Sequence, residues 1–181
     1  MLLDRNKAAL VGVDVQSKLL GGIQRSEELV NNCSWLVRLA QLMAVPVIAS
    51  EQYPDGLGHT EESLRRLIGE ERIHGKTQFS AIDDAGFMVH FNSLERDQVV
   101  VCGMESQACV VQTALRLKEF GKQVFVVADA ISARNDFDTD ITLRRLEQAG
   151  VVLVSREMVG FEWVRDSSAP EFRTFSKEFL R

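Results

Sequence analysis

Nearly continuous runs of apolar, largely β-branched residues alternate with amphipathic stretches from one end of the chain to the other. The runs are "AALVGVDV" (8–15), "VPVIASE" (45–51), "QVVVCGM" (98–104), "QVFVVADA" (123–130) and "GVVLVSR" (150–156). Successive side chains of a strand point to opposite faces, so a run without alternation reads as a strand buried on both faces. Between the runs, "SEELVNNCSWLVRLAQLM" (26–43), "ESLRRLIGE" (62–70), "ESQACVVQTALRLKEFG" (105–121) and "DTDITLRRLEQAG" (138–150) carry helical spacing. Ser26 and Asp138 are placed as N-caps, and Gly121 and Gly150 stand where helices should stop. Strand and helix alternating over short connections predicts one domain over residues 1–181. Its expected form is a single-domain, three-layer α/β/α fold around a mostly parallel, doubly wound sheet.

Such a sheet binds ligands outside the carboxyl ends of its strands. Polar residues at those ends are therefore the first candidates for chemistry. Asp14 ends the first run, Glu51 and Gln52 follow the second, Lys76 ends "ERIHGK", residues 103–109 follow the "QVVVCGM" run, and Asp129 closes the next. The segment at 160–180, "GFEWVRDSSAPEFRTFSKEFL", is aromatic enough to predict a terminal helix docked on the core.

Composition narrows the function classes. The chain has 181 residues, enough for one sizeable core, and a formal net charge of −5, which argues against a dominant grip on phosphate backbones. Nucleic acid is therefore not an expected partner. Three cysteines, with no C-x-x-C spacing, are too few for a disulfide framework and point to free thiols in a reducing compartment. The opening stretch "MLLDRNKAALVGVDVQ" has neither a basic leader nor an A-x-A cleavage pattern, so no signal peptide is expected. Every apolar run falls short of the roughly 18 to 20 residues that cross a bilayer. A cytoplasmic protein without a membrane partner is the expectation.

Cys102 lies inside an apolar run and Cys33 beside Trp35 and Leu36 in an amphipathic stretch, so both read as packing. Cys109 differs, because it falls in the first turn of a helix just beyond the sheet's carboxyl edge. A helix N-terminus offers free N–H groups and a partial positive charge, which favour a thiolate. Asp14 closes a buried strand, where a lone carboxylate is costly, and Lys76 closes another. Taken singly, each has a plain alternative: a core cysteine, a turn aspartate, a surface lysine. Their conjunction at one sheet edge makes an Asp, Lys and Cys constellation the candidate site.

These residues resemble the isochorismatase-like cysteine hydrolases. The likeness rests on the aspartate in "VDVQ" (13–16), the lysine in "HGKTQFS" (74–80) and the cysteine in "GMESQACVVQTA" (103–114), in that order across nearly the whole chain. The stretch "SEQYPDGLGHT" (50–60) resembles the isochorismatase-domain-containing proteins most. The resemblance implies a catalytic triad of Asp14, Lys76 and Cys109. It also implies a non-proline cis peptide between Met104 and Glu105, with the N–H groups of Glu105 and Cys109 forming an oxyanion hole. Gln16, Gln52, Tyr53 and Phe79 flank the triad segments and are candidate walls of a small pocket, with loop packing the alternative for Tyr53 and Phe79.

The family's nicotinamidase branch carries an Asp-x-His metal pattern after the second strand. Here that place reads Ser50, Glu51, Gln52, with no histidine before His59, so no metal and no cofactor are expected. His59, His74 and His90 read as scattered, satisfied or solvated side chains. Members that cut the vinyl ether of isochorismate often lack the cysteine, and its presence tilts the reading toward amidase chemistry. The resemblance thus implies a metal-independent hydrolase of a small amide-like C–N bond, working through a thioester and assembling as a homo-oligomer. An isochorismate-type vinyl ether hydrolase and a catalytically silent interaction protein are the alternatives.

Overall fold

The computed structural model describes residues 1–180. Six parallel strands form one sheet: β1 (Ala8–Val13), β2 (Val47–Gln52), β3 (Ile73–Lys76), β4 (Gln98–Met104), β5 (Gln123–Ser132) and β6 (Val152–Val154). Their spatial order is β3-β2-β1-β4-β5-β6, and each neighbouring pair is parallel. The order reverses between β1 and β4. The crevice that a doubly wound sheet offers to ligands therefore opens above these two strands.

The helices are α1 (Ser17–Leu20), α2 (Ser26–Leu42), α3 (Pro54–Leu57), α4 (Glu62–Ile68), α5 (Ala85–Ser93), α6 (Val111–Glu119), α7 (Asp136–Gln148), α8 (Arg156–Val164) and α9 (Phe172–Glu178). Strand residues divide by parity between two cores. Leu10, Val100, Cys102 and Phe125 meet α2, α4, α8 and α9 on one face, with Leu36, Leu64, Trp163 and Phe175. Val11, Val99, Val101 and Val126 meet α5, α6 and α7 on the other, with Phe87, Leu117 and Leu146. The three-layer α/β/α domain follows from strands that are apolar on both faces. The aromatic tail docks as expected: the Trp35 indole donates to Phe179 O at 3.0 Å, and Trp35 packs edge-on against Phe175 and Phe179.

Three details depart from the reading of the sequence. Helix α2 starts at Ser26 itself, behind a left-handed Arg25 whose side chain makes no capping bond. Helix α7 starts at Asp136, and Asn135 is its cap, accepting from the Asp138 N–H, so Asp138 lies in the first turn facing the helix dipole. Strand β5 runs on to Ser132 and carries Asp129 within it. Among the described residues no helix is long and apolar enough to cross a membrane.

Register sets the site. Val13 stands opposite Ser50 on one side and Gly103 on the other, and Gln52 stands opposite Lys76. The residues at or just past these pairs accordingly meet at one sheet edge. Gly103 is essential to that approach, with φ +137°, and a Cβ there would lie 2.2 Å from Val13 O. Gly103→Ala should destabilise the fold by more than about 3 kcal/mol, read as a lowered urea midpoint, and an unchanged midpoint would show that the strands tolerate separation.

Candidate active site

Three strand ends turn out of the sheet on non-glycine residues with positive φ: Asp14 (53°) after β1, Tyr53 (38°) after β2 and Glu105 (57°) after β4. Such conformations strain side-chain-bearing residues by about 1–2 kcal/mol each and cluster at functional sites. Asp14 is held by its N–H, which donates to Ser50 O at 3.0 Å, and its carboxylate is 1% exposed. Lys76, at the end of β3, sends its ammonium to Asp14 Oδ2 at 2.8 Å. The same Nζ also donates to Gln52 Oε1 at 2.6 Å, Phe79 O at 3.0 Å and Gln78 O at 3.1 Å. Four oxygens thus surround three N–H bonds. A buried ion pair is tolerated only when further hydrogen bonds replace water, and this one has them. On the other side, the Ser50 hydroxyl donates to Asp14 Oδ1 at 2.7 Å.

Cys109 reaches this pair from the β4–α6 connection. The N–H groups of Ala108, Cys109 and Val110 converge on Glu105 O at 2.9, 3.0 and 3.4 Å, a wide turn that runs directly into α6. The buried Cys109 Sγ lies 3.9 Å from Gln52 Oε1. Burial pushes the thiol far above its ordinary range, and the Asp14 carboxylate adds to the shift through its charge and a hydrogen bond, as does Glu105 by charge; Lys76 opposes it. The resting group is a neutral thiol. The expected pull of a helix N-terminus toward thiolate is outweighed by desolvation and by the neighbouring carboxylate.

The bond between Met104 and Glu105 is trans, since no peptide among the described residues is cis. Gly103 and the left-handed Glu105 turn the chain instead, which avoids the roughly 3–4 kcal/mol of a non-proline cis bond. Nor does Cys109 present a free N–H for an oxyanion hole, because that group is spent inside the wide turn on Glu105 O.

The remaining candidates separate. Gln52 lies between Lys76 and Cys109, its amide fixed by donation to Thr77 O at 2.8 Å. Gln16 is fully buried and uses its amide on the backbone of Gln52 and Gly58, so it ties loops together rather than lining a pocket. Tyr53 and Phe79, 53% and 55% exposed, stand at the rim. The Met104 side chain packs in the α2-side core, and Glu105 is held by Arg134 at 3.2 Å and Gln107 at 2.6 Å. Asp129 belongs to another cleft, with Arg25, Glu28 and Ser132, and accepts from the Arg156 N–H.

The histidines are less scattered than their sequence positions imply. His74 Nε2 and His90 Nδ1 are 2.8 Å apart, and His59 pairs with the buried Glu51 at 3.0 Å. Among the described residues no three His, Cys, Asp or Glu side chains form a metal-holding group. Sequence reading passed over Ser50. Its one signal was the spacing of two polar residues, Ser50 and Gln52, on the same side of an otherwise apolar strand.

Several known proteins are similar to this chain. Residues 8–158 match the family described as "Isochorismatase domain". "Isochorismatase domain-containing protein 2" of Danio rerio is 35% identical over 177 residues, which cover 97% of this chain and 88% of that protein. A solved structure described as "MAR1 Ribonuclease from Caenorhabditis elegans" superposes with a TM-score of 0.93 at 31% identity, over 100% of this chain and 93% of that one. The YcaC gene product of Escherichia coli, described as "an octameric hydrolase of unknown specificity", superposes with a TM-score of 0.88 at 25% identity, over 99% and 97%.

Two outcomes follow from the buried charges and thiols. Lys76→Met leaves the Asp14 carboxylate without its cation and should lower stability by about 3–5 kcal/mol, whereas adding Asp14→Asn to it should recover part of the loss; additive urea midpoints would contradict the pairing. The pH dependence has a definite sign. Cys109 keeps its proton in the folded chain, while in the unfolded chain a thiol ionises near about pH 8.5. The stabilising difference is complete below that pH and is lost as pH rises above it. Stability measured in urea should therefore fall on the alkaline side, and the fall should be shallower in Cys109→Ala; identical slopes would refute the assignment. Cys33, pushed up by its hydrogen bond to Cys102 and by burial, adds a slope of its own that this substitution leaves in place.

Proposed function

The chain belongs to the isochorismatase family, and on that premise we propose that it is a cysteine hydrolase that opens a small amide-like C–N bond, with Asp14, Lys76 and Cys109 as its triad. The observation that carries this reading is the neutral Cys109 thiol set beside a buried Asp14 carboxylate that Lys76 holds as an ion pair. A thiol needs a base to become a nucleophile, and here the carboxylate that raises its proton affinity is also the group able to take the proton.

The reaction balances with no other participant than water. Cys109 Sγ bonds to the carbonyl carbon, the thiol proton passes to Asp14, and the carbonyl π pair moves to oxygen. When the tetrahedral intermediate collapses, the C–N bond breaks, the amine takes the proton from Asp14, and a thioester remains. Water then adds to the thioester and gives a proton to Asp14. The C–S bond breaks, the acid leaves, and sulfur regains its proton. Lys76 offsets the negative charge as it moves between carboxylate and sulfur.

The charges around the site disfavour a doubly anionic enol ether of the isochorismate type. Lys76 already has four acceptors, and Arg134 is paired with Glu105, which leaves both of these cations engaged. A small neutral substrate fits that environment. For the assembly we infer a homo-oligomer. The octameric description of the Escherichia coli relative supports it, as do Phe137 and Ile141, exposed one turn apart on α7. Three free cysteines support a reducing compartment, the cytoplasm, and a net charge of −5 speaks against nucleic acid as substrate.

The test is a panel of small amides and carbamoyl compounds followed by intact-protein mass spectrometry. An acyl adduct on Cys109 should form and decay with turnover. Cys109→Ala should form none, and Asp14→Asn should acylate about 10²-fold more slowly or worse. Undiminished turnover in Cys109→Ala, with pyruvate released from isochorismate, would move the chain to the enol-ether class.

A further inference from the structure

We propose that Ser50 is a positioning residue of this site: by donating to Asp14 Oδ1, its hydroxyl fixes the carboxylate so that Oδ2 meets Lys76 while the group remains open to the Cys109 proton. The proposal rests on the triad reading and adds a fourth member that acts only through Asp14. The distance is 2.7 Å, and at 1% exposure Ser50 is shielded from bulk solvent.

The carboxylate has three neighbours that compete for it. Lys76 takes Oδ2 at 2.8 Å, and the Asp14 main chain is itself pinned by donation to Ser50 O at 3.0 Å. Without a donor on Oδ1 that oxygen is left buried and unpaired, and the carboxylate is free to rotate about its Cβ–Cγ bond. The Ser50 hydroxyl blocks that rotation. One residue thus grips Asp14 twice, through its carbonyl and through its side chain. Gln52, two positions along the same strand face, grips Lys76 in the same way at 2.6 Å. Strand β2 therefore contributes no reacting atom and orients both members of the ion pair.

Ser50 has a second consequence for proton transfer. A carboxylate that loses a hydrogen-bond donor takes up a proton more readily. The acid limb of any process that uses Asp14 as base should then move to higher pH. Ser50 also borders a small apolar cavity lined by Gly12, Cys33, Ala49, Leu64 and Cys102.

The test needs no substrate. Rates of Cys109 alkylation by iodoacetamide are measured against pH by peptide mass spectrometry in the parent, Ser50→Thr and Ser50→Val, with a urea unfolding curve for each. Threonine and valine share a shape and differ in the hydroxyl. Ser50→Thr should keep the parent's acid limb, and Ser50→Val should move it upward by about one pH unit and slow the plateau rate several-fold. If both variants are folded and share the parent's profile, the proposal is overturned while the triad reading stands. If Ser50→Val fails to fold, Ser50→Ala decides, since it removes the hydroxyl and adds no atom: its acid limb must also move upward, and the parent's profile in it overturns the proposal. If Cys109 in the parent is no more reactive than an ordinary buried thiol at every pH, the triad reading falls and the positioning role falls with it.

Discussion

The buried pair between Asp14 and Lys76 is the constraint around which the carboxyl edge of the sheet is built. Two charges removed from water lose several kcal/mol of hydration each, and their mutual attraction offsets this only when every remaining donor and acceptor is met. The surroundings are arranged to that end. Ser50 answers one carboxylate oxygen, Gln52 and two backbone carbonyls answer the ammonium, and the loop of residues 77–79 is folded around Lys76 by that demand. Three strands have to lie in register for this to happen, so the same pair reports whether β1, β2 and β3 are aligned.

The thiol is placed to exploit the pair without disturbing it. Reactive cysteines are commonly sought as stabilised thiolates, and the reaction proposed for this site rests on the opposite principle. Burial and a neighbouring carboxylate keep the proton on Cys109, and in the proposed reaction Asp14 takes it only as the sulfur attacks an electrophile. A neutral thiol resists oxidation better than a standing thiolate. The wide turn on Glu105 O sets the height of Cys109 above the sheet: one more residue per turn than an ordinary helix delivers Sγ toward Gln52, while Val110 and Val111 stay in the core.

Much of this was legible in the residues alone, for physical reasons that also mark the limit. Parallel strands covered on both faces must be apolar at nearly every position, so β1, β2, β4 and β5 stand out. The four residues of β3, Ile73–Lys76, have no such run, since an edge strand is half-buried, and only the lysine at its end drew attention. Charged residues at strand ends are conspicuous because burial there demands a partner, which exposed Asp14, Lys76 and Cys109 together. Ser50 was passed over because a small hydroxyl within "VIASE" reads as filler. The turn after β4 was misjudged because residue types do not announce a left-handed glutamate, and the resemblance supplied a cis bond where Glu105 takes the strain instead. Asn135 was missed as a cap because two aspartates beside it carry the same preference.

Strand β3 is the outermost of the sheet, hydrogen-bonded along one side only, and four residues long. Segments of this kind open locally at a free energy well below that of global unfolding, with the rest of the domain intact. Were β3 to lift away, Lys76 would leave with it, and the Asp14 carboxylate would face an emptied corner as water entered. The two cores packed on β1, β4 and β5 would lose only the edge contacts that Ile73 and His74 make with them. The working temperature range of the site is therefore bounded by the opening equilibrium of one short edge strand, whatever melting temperature the whole domain displays.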